Sequence, residues 1–142
     1  MNLLFDLLDG EMRRRRIDTI LVVGENTLGN PELAYVAGTR IPRGGIFVKR
    51  VGHAPLLVVS NIDVGNAKRG RVRDVRTFSE YGYEKWLERY GRERGHIMFI
   101  DSLLHSIRTQ GRITIYSRNE FSRLLSLADA LRELRERITF CS

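Results

Sequence analysis

The sequence predicts an α/β domain with a mixed sheet, and three observations carry that reading. Ile17-Asp18-Thr19-Ile20-Leu21-Val22-Val23-Gly24 has a continuous apolar half with no alternation, the pattern of a strand covered on both faces. Helix-period and strand-period segments then alternate along the chain. Among them sit two β-rich runs, Ile46–Val51 and Pro55–Ser60, joined by Gly52-His53-Ala54 at hairpin length. Crossovers give parallel pairs and a hairpin gives an antiparallel one, so the sheet is mixed.

The elements follow in order. Leu4, Leu7, Leu8 and Met12 make the stripe of an amphipathic helix, which runs into Arg13-Arg14-Arg15-Arg16, cations suited to a helix C-terminus. The strand of residues 17–24 comes next. Asn30-Pro31-Glu32 reads as N-cap, first-turn proline and first-turn acid of a short helix ending near Gly38. Thr39–Gly45 is a loop holding Pro42 and the Gly44-Gly45 pair, and the hairpin follows it. Asn61–Lys68 reads as a helix capped by Asn61 or Ser60, and Val72–Phe78 as an alternating strand suited to an edge. Tyr83, Trp86, Leu87 and Tyr90 mark a further amphipathic helix, and the spacing of Tyr81, Tyr83, Trp86 and Tyr90 is that of core packing. In 96–110, Asp101 caps a helix presenting Leu103, Leu104 and Ile107 and stopped by Gly111, while Ile97–Ile100 fits either that helix or a short strand. Arg112–Tyr116 is a strand. Ser117-Arg118-Asn119-Glu120 is a capping box for a helix with Phe121, Leu124, Leu125, Ala128, Leu131 and Leu134 on one face, and Ile138-Thr139-Phe140 closes as a strand.

With 142 residues the chain is one domain, 1–142, large enough to bury roughly two-thirds of its unfolded surface without staples. No apolar run reaches the roughly 18–20 residues of a membrane span. The N-terminus carries Asp6 and Asp9 without a basic start, which argues against a secretory signal and for the cytoplasm. A single cysteine, Cys141, excludes a disulfide framework. Net charge is +7, almost all of the cations being arginine, with Lys49, Lys68 and Lys85 the only lysines.

The search for chemistry is mostly negative. His53, His96 and His105 lie far apart and share no ligand spacing, so no metal site is expected from them. No G-x-S-x-G elbow is present. Gly24-Glu25-Asn26-Thr27-Leu28-Gly29 sits between a strand and a helix but lacks the close glycine spacing of a dinucleotide loop. Two basic clusters remain, Arg13–Arg16 and Lys68-Arg69-Gly70-Arg71-Val72-Arg73 with Arg76 beyond. Together on one face they would contact several phosphates, but no aromatic interleaves with them, so the balance lies against nucleic acid.

As an ordered whole the chain resembles the N-terminal domain of the creatinase/prolidase/aminopeptidase P group, the pita-bread metallopeptidases. The residues that carry this are Ile17-Asp18-Thr19-Ile20-Leu21-Val22 after a helix with a basic end, and Asn30-Pro31-Glu32-Leu33-Ala34-Tyr35-Val36-Ala37-Gly38, similar to the family's N-x-x-Y-L/Y-T/S-G signature. The Gly44-Gly45 strand, Pro55–Ser60, the Ala67-Lys68 helix and Gly111-Arg112-Ile113-Thr114-Ile115-Tyr116 follow in the family's order. Two departures are that the helix glutamate is replaced by Asp63 or absent, and that Gly65 weakens the helix by about 1 kcal/mol.

The resemblance implies a ribonuclease-H-like α/β fold without catalytic residues, metal ligands or cofactor of its own. Hydrolysis of Xaa-Pro peptides, with two divalent metal ions, would belong to a C-terminal catalytic domain of roughly 220–250 residues that is absent from this chain. The chain would then pair into a homodimer, dock on its own catalytic domain and narrow access to the partner's active site. Thr39, Arg40 and Arg43, in the loop after Tyr35-x-x-Gly38, are the candidates for touching a substrate carboxylate, arginine because it offers two parallel donors. The chain alone is expected to be inactive, and it is either a fragment of such an enzyme or a free-standing relative. The alternative is a free-standing basic domain that binds nucleic acid or serves as a scaffold.

Overall fold

The computed structural model describes residues 3–24, 31–117 and 138–141. The loop 25–30, with Asn30 of the expected cap, and the capping-box helix of 118–134 lie outside the described residues.

Six strands form one sheet in the order β4-β3-β2-β1-β5-β6. They are β1 (Thr19–Gly24), β2 (Gly45–Arg50), β3 (Leu56–Val59), β4 (Asp74–Thr77), β5 (Ile113–Ser117) and β6 (Ile138–Cys141). β1–β2 and β2–β3 are antiparallel, while β1–β5, β3–β4 and β5–β6 are parallel, so the expected mixed sheet is present. β4 is an edge strand, as its alternation implied.

Helices α1 (Leu3–Arg15), α2 (Pro31–Ala37) and α3 (Val64–Lys68) contribute to one apolar cluster, α4 (Tyr83–Tyr90) and α5 (Arg92–Ser106) to the other. Side chains of β1 divide between them: Leu21 and Val23 meet Phe99, Ile100, Leu103 and Leu104, whereas Ile20 and Val22 meet Phe5, Met12, Leu33 and Ala37. This two-sided burial is why β1 reads as unbroken apolar sequence.

Several boundaries differ from expectation for physical reasons. α1 buries Phe5 and Met12, with Phe5 against Phe47 at 6.0 Å; Leu4 and Leu8 of the expected stripe pack partly buried beside them, and of the four stripe residues Leu7 is exposed. Arg16 takes a left-handed conformation (φ 58°), and the Ile17 N–H reaches the Met12 carbonyl at 2.8 Å, a Schellman end. Neither Ser60 nor Asn61 caps the next helix with its side chain. It opens as a 3₁₀ turn, Asn61–Asp63, in which the Asp63 N–H bonds the Ser60 carbonyl, and the Ser60 hydroxyl is buried without a partner among the described residues. Asp101 lies inside α5, which starts at Arg92 and contains Ile97–Ile100. α5 ends through Arg108 (φ 55°), whose successor Thr109 donates to the Leu104 carbonyl; Gly111 (φ 73°) instead turns the chain into β5. Tyr81, Tyr83 and Trp86 pack on the α5 cluster, but Tyr90 stacks on Trp86 at 5.8 Å beside Arg89 and Arg94.

Candidate functional site

The loop between α2 and β2 is held from two sides. Ile41-Pro42-Arg43-Gly44 is a β-turn closed by the Gly44 N–H on the Ile41 carbonyl at 2.9 Å, with proline at its second position. Ile41 is fully buried and roots the loop in the α1–α3 core. The Asp63 carboxylate accepts the Arg43 N–H at 3.0 Å and Arg43 Nη1 at 3.4 Å. Asp63 is 1% exposed, so this charge-assisted pair fixes the turn to the start of α3. The Arg43 side chain remains 53% exposed.

On the other side, residues 68–73 lie against the end of α2. The Arg71 N–H donates to the Ala37 carbonyl at 2.8 Å, and Arg71 Nε to the Tyr35 carbonyl at 3.0 Å. Its guanidinium sits 5.5 Å from the centroid of the Tyr35 ring, which is 60% exposed. Gly38 (φ 69°) and Gly70 permit this approach: a Cβ at Gly38 would overlap Arg71 Cγ, and one at Gly70 would overlap the Ala37 carbonyl and meet Thr39 Cγ2.

Of the predicted site residues, Thr39 is thus half-buried against Gly70, Arg40 is exposed, and Arg43 is tied to Asp63. The fold brings the Thr39–Arg43 loop and the Lys68–Arg73 cluster together, a juxtaposition that sequence spacing did not reveal. The Arg13–Arg16 cluster goes elsewhere. β1 and β2 pair Gly24 with Gly45 at the loop end and Thr19 with Arg50 at the other; Arg13 reaches the Gly52 turn at that other end. Arg14 and Arg15 both bind Glu11, and the hydrogen bond from Arg14 is the main cause that lowers the Glu11 carboxyl to about 2. Arg76 is paired with Asp74 and Glu80. The two basic clusters therefore form no shared phosphate track.

Several other polar groups bond within the fold. Asp18 accepts the Arg112 N–H at 2.7 Å and also fills the space a Gly111 Cβ would need. Lys49, 1% exposed, donates to Asp9 Oδ1 at 2.5 Å and to the Arg50 carbonyl at 2.8 Å, while the Gly52 N–H also bonds that Asp9 oxygen. Burial pushes the Asp9 carboxyl up, but the Lys49 and Gly52 hydrogen bonds, with the charges of Lys49 and Arg13, hold it below its ordinary value. His96 Nδ1 lies 3.2 Å from the Tyr83 hydroxyl, and His105 Nδ1 lies 2.8 Å from the Asp101 carbonyl. Among the described residues no group of three or more His, Cys, Asp or Glu could hold a metal ion, and no metal-dependent step is assigned to them. No helix among the described residues is long and apolar enough to cross a membrane.

The sequence matches no family model and no curated protein. Solved structures do match. An X-Pro dipeptidase creatinase/prolidase N-terminal domain from Streptococcus pyogenes aligns with a TM-score of 0.58 at 17% identity, over 99% of this chain and 94% of that one. The fold is that of the creatinase/prolidase N-terminal domain. The same fold lies within the prolidase of Pyrococcus horikoshii OT3, with a TM-score of 0.60, 14% identity and 98% of this chain covered. It also lies within the X-Pro aminopeptidase of Thermotoga maritima MSB8, with a TM-score of 0.58, 16% identity and 92% of this chain covered. This chain spans 32% of the length of each of those two enzymes. At such identities the creatinase/prolidase likeness is one of fold, and the mixed sheet with helices on both faces is its content.

Proposed function

We propose that this chain is the non-catalytic N-terminal domain of a Xaa-Pro dipeptidase or aminopeptidase. In this reading it pairs subunits in a cytoplasmic homodimer, docks on its own C-terminal catalytic domain and narrows access to the partner's active site. The two divalent metal ions and the hydrolysis belong to that catalytic domain. The observation that carries the reading is the match, over nearly the whole length of both chains, to an isolated N-terminal domain of an X-Pro dipeptidase.

The loop supplies the chain's own contribution. Asp63 neutralises part of the Arg43 charge and anchors the turn, so Arg43 is presented in a fixed place, while Arg40 is exposed in the same loop. Thr39, Arg40 and Arg43 then meet the carboxylate end of a peptide, an arginine fork gripping both oxygens. The natural gene product should have a mass of about 40 kDa, as two domains of family size give. It should cleave Xaa-Pro dipeptides with added divalent metal while the 142-residue chain alone does not. Arg40→Ala and Arg43→Ala in the longer protein should each raise KM. Appreciable cleavage by the isolated chain, or unchanged kinetics in both variants, refutes the corresponding part of the reading.

A further inference from the structure

We propose that Arg40, Lys68 and Arg69, gathered by the contact of Thr39 with Gly70, form a cationic rim that selects acidic peptides. The inference rests on the peptidase reading above and adds to it the charge class of the substrate. Thr39 Cγ2 lies where a Gly70 Cβ would meet it, so the loop and the basic cluster touch there, with Arg40 and Arg69 each one residue from the contact. Lys68 precedes Arg69, and all three are exposed. None of the three side chains has a hydrogen-bond or ion-pair partner among the described residues. By contrast Arg14, Arg15, Arg43 and Arg76 all have carboxylate partners. Three exposed cations without a carboxylate partner thus flank the loop where the reading puts substrate entry. Arg71 adds a fourth positive charge there, its guanidinium held on the Tyr35 carbonyl and ring.

Unpaired like charges on one small surface raise the local concentration of anions and speed their arrival, an effect that salt removes. The site is small. A nucleic-acid strand needs a continuous row of phosphate contacts, and the Arg13–Arg16 cluster that would extend the row lies by the Gly52 turn, with Arg14 and Arg15 bound to Glu11. A short peptide with one or two carboxylates offers the few anionic groups that three or four cations can pair.

The test uses the full-length gene product with Glu-Pro, Leu-Pro and Lys-Pro. At about 10 mM salt kcat/KM should favour Glu-Pro over Lys-Pro by at least roughly tenfold, and the ratio should fall toward unity at about 0.5 M. Lys68→Glu with Arg69→Glu should invert the ratio, and Arg14→Ala, at the other cluster, should leave it unchanged. Cleavage of Leu-Pro with no charge preference overturns the inference and leaves the peptidase reading standing. No cleavage of any of the three overturns both. Steeply salt-dependent binding of an oligothymidylate that the double charge reversal abolishes, without a charge preference among the dipeptides, also overturns it, making the rim a nucleic-acid surface.

Discussion

Removing the carboxylate of Asp9 tests whether the Lys49 ammonium depends on it. Lys49 is 1% exposed and its ammonium is held by Asp9 Oδ1 and the Arg50 carbonyl. Stripping the partner from a fully buried pair costs about 3–5 kcal/mol. Asp9 keeps 17% exposure, so solvent can recover part of that loss and Asp9→Ala should cost about 2–3 kcal/mol. For a chain of this length that corresponds to a fall in Tm of roughly 6–10 °C, read by thermal unfolding followed by circular dichroism. Lys49→Met removes the buried charge but leaves Asp9 with only the Gly52 N–H and partial solvent contact, so it should cost about 1–2 kcal/mol. Asp9→Ala in that background should cost only about 1 kcal/mol, for the lost Gly52 N–H bond. The pH dependence has a definite sign. Because the folded Asp9 carboxyl lies below its ordinary 3.8, its contribution is present above that value and is lost as pH falls through the folded value. The parent and Asp9→Ala stabilities should therefore converge in acid. A loss below about 0.5 kcal/mol for Asp9→Ala, or the same loss with and without the Lys49→Met substitution, would refute the coupling.

Two further perturbations separate conformational from contact effects. Gly65 is exposed in α3 and a Cβ there meets nothing, so Gly65→Ala should stabilise by about 0.5–1 kcal/mol; Gly111→Ala, with positive φ and the Asp18 carboxylate in the way, should destabilise by more than about 2 kcal/mol, both read by urea unfolding. Asp63→Ala removes the acceptor of the Arg43 N–H, so trypsin should cut after Arg40 and Arg43 faster than in the parent under native conditions; an unchanged rate would mean that Ile41 alone holds the loop.

Much of the architecture was legible because burial writes itself into composition. The unbroken apolar run of β1 announced a strand sandwiched between layers, and the alternation of Val72–Phe78 announced an edge. The order of short phrases carried the family likeness, which no one phrase could. What failed was local. Leucine spacing rightly set Leu4, Leu8 and Met12 against the core but also placed Leu7 inside, where the structure instead buries Phe5 against Phe47. Gly111 looked like a helix stop, yet Arg108 adopts the left-handed turn and glycine serves the next bend, where Asp18 excludes a side chain. The site was half-readable: Thr39, Arg40 and Arg43 sat in a visible loop, but Asp63 looked like a departure from a helix pattern rather than the anchor of Arg43, twenty positions away. Nor could spacing show that Gly38 and Gly70 let residues 68–71 settle on α2, since close approach between distant glycines leaves no periodic trace.

The neighbours of β1 have a consequence for how the chain is made. On one side it pairs with β2, on the other with β5, and Asp18 waits for the backbone of Arg112. A ribosome adding about 5–20 residues per second needs roughly 5–20 s to make the intervening stretch. Until then Ile20, Leu21, Val22 and Val23 form a bare apolar edge, the kind that recruits strands from other chains. Nascent chains stalled before residue 112 should accordingly be the aggregating species, and a chaperone that shields this strand would act in that interval and not after it.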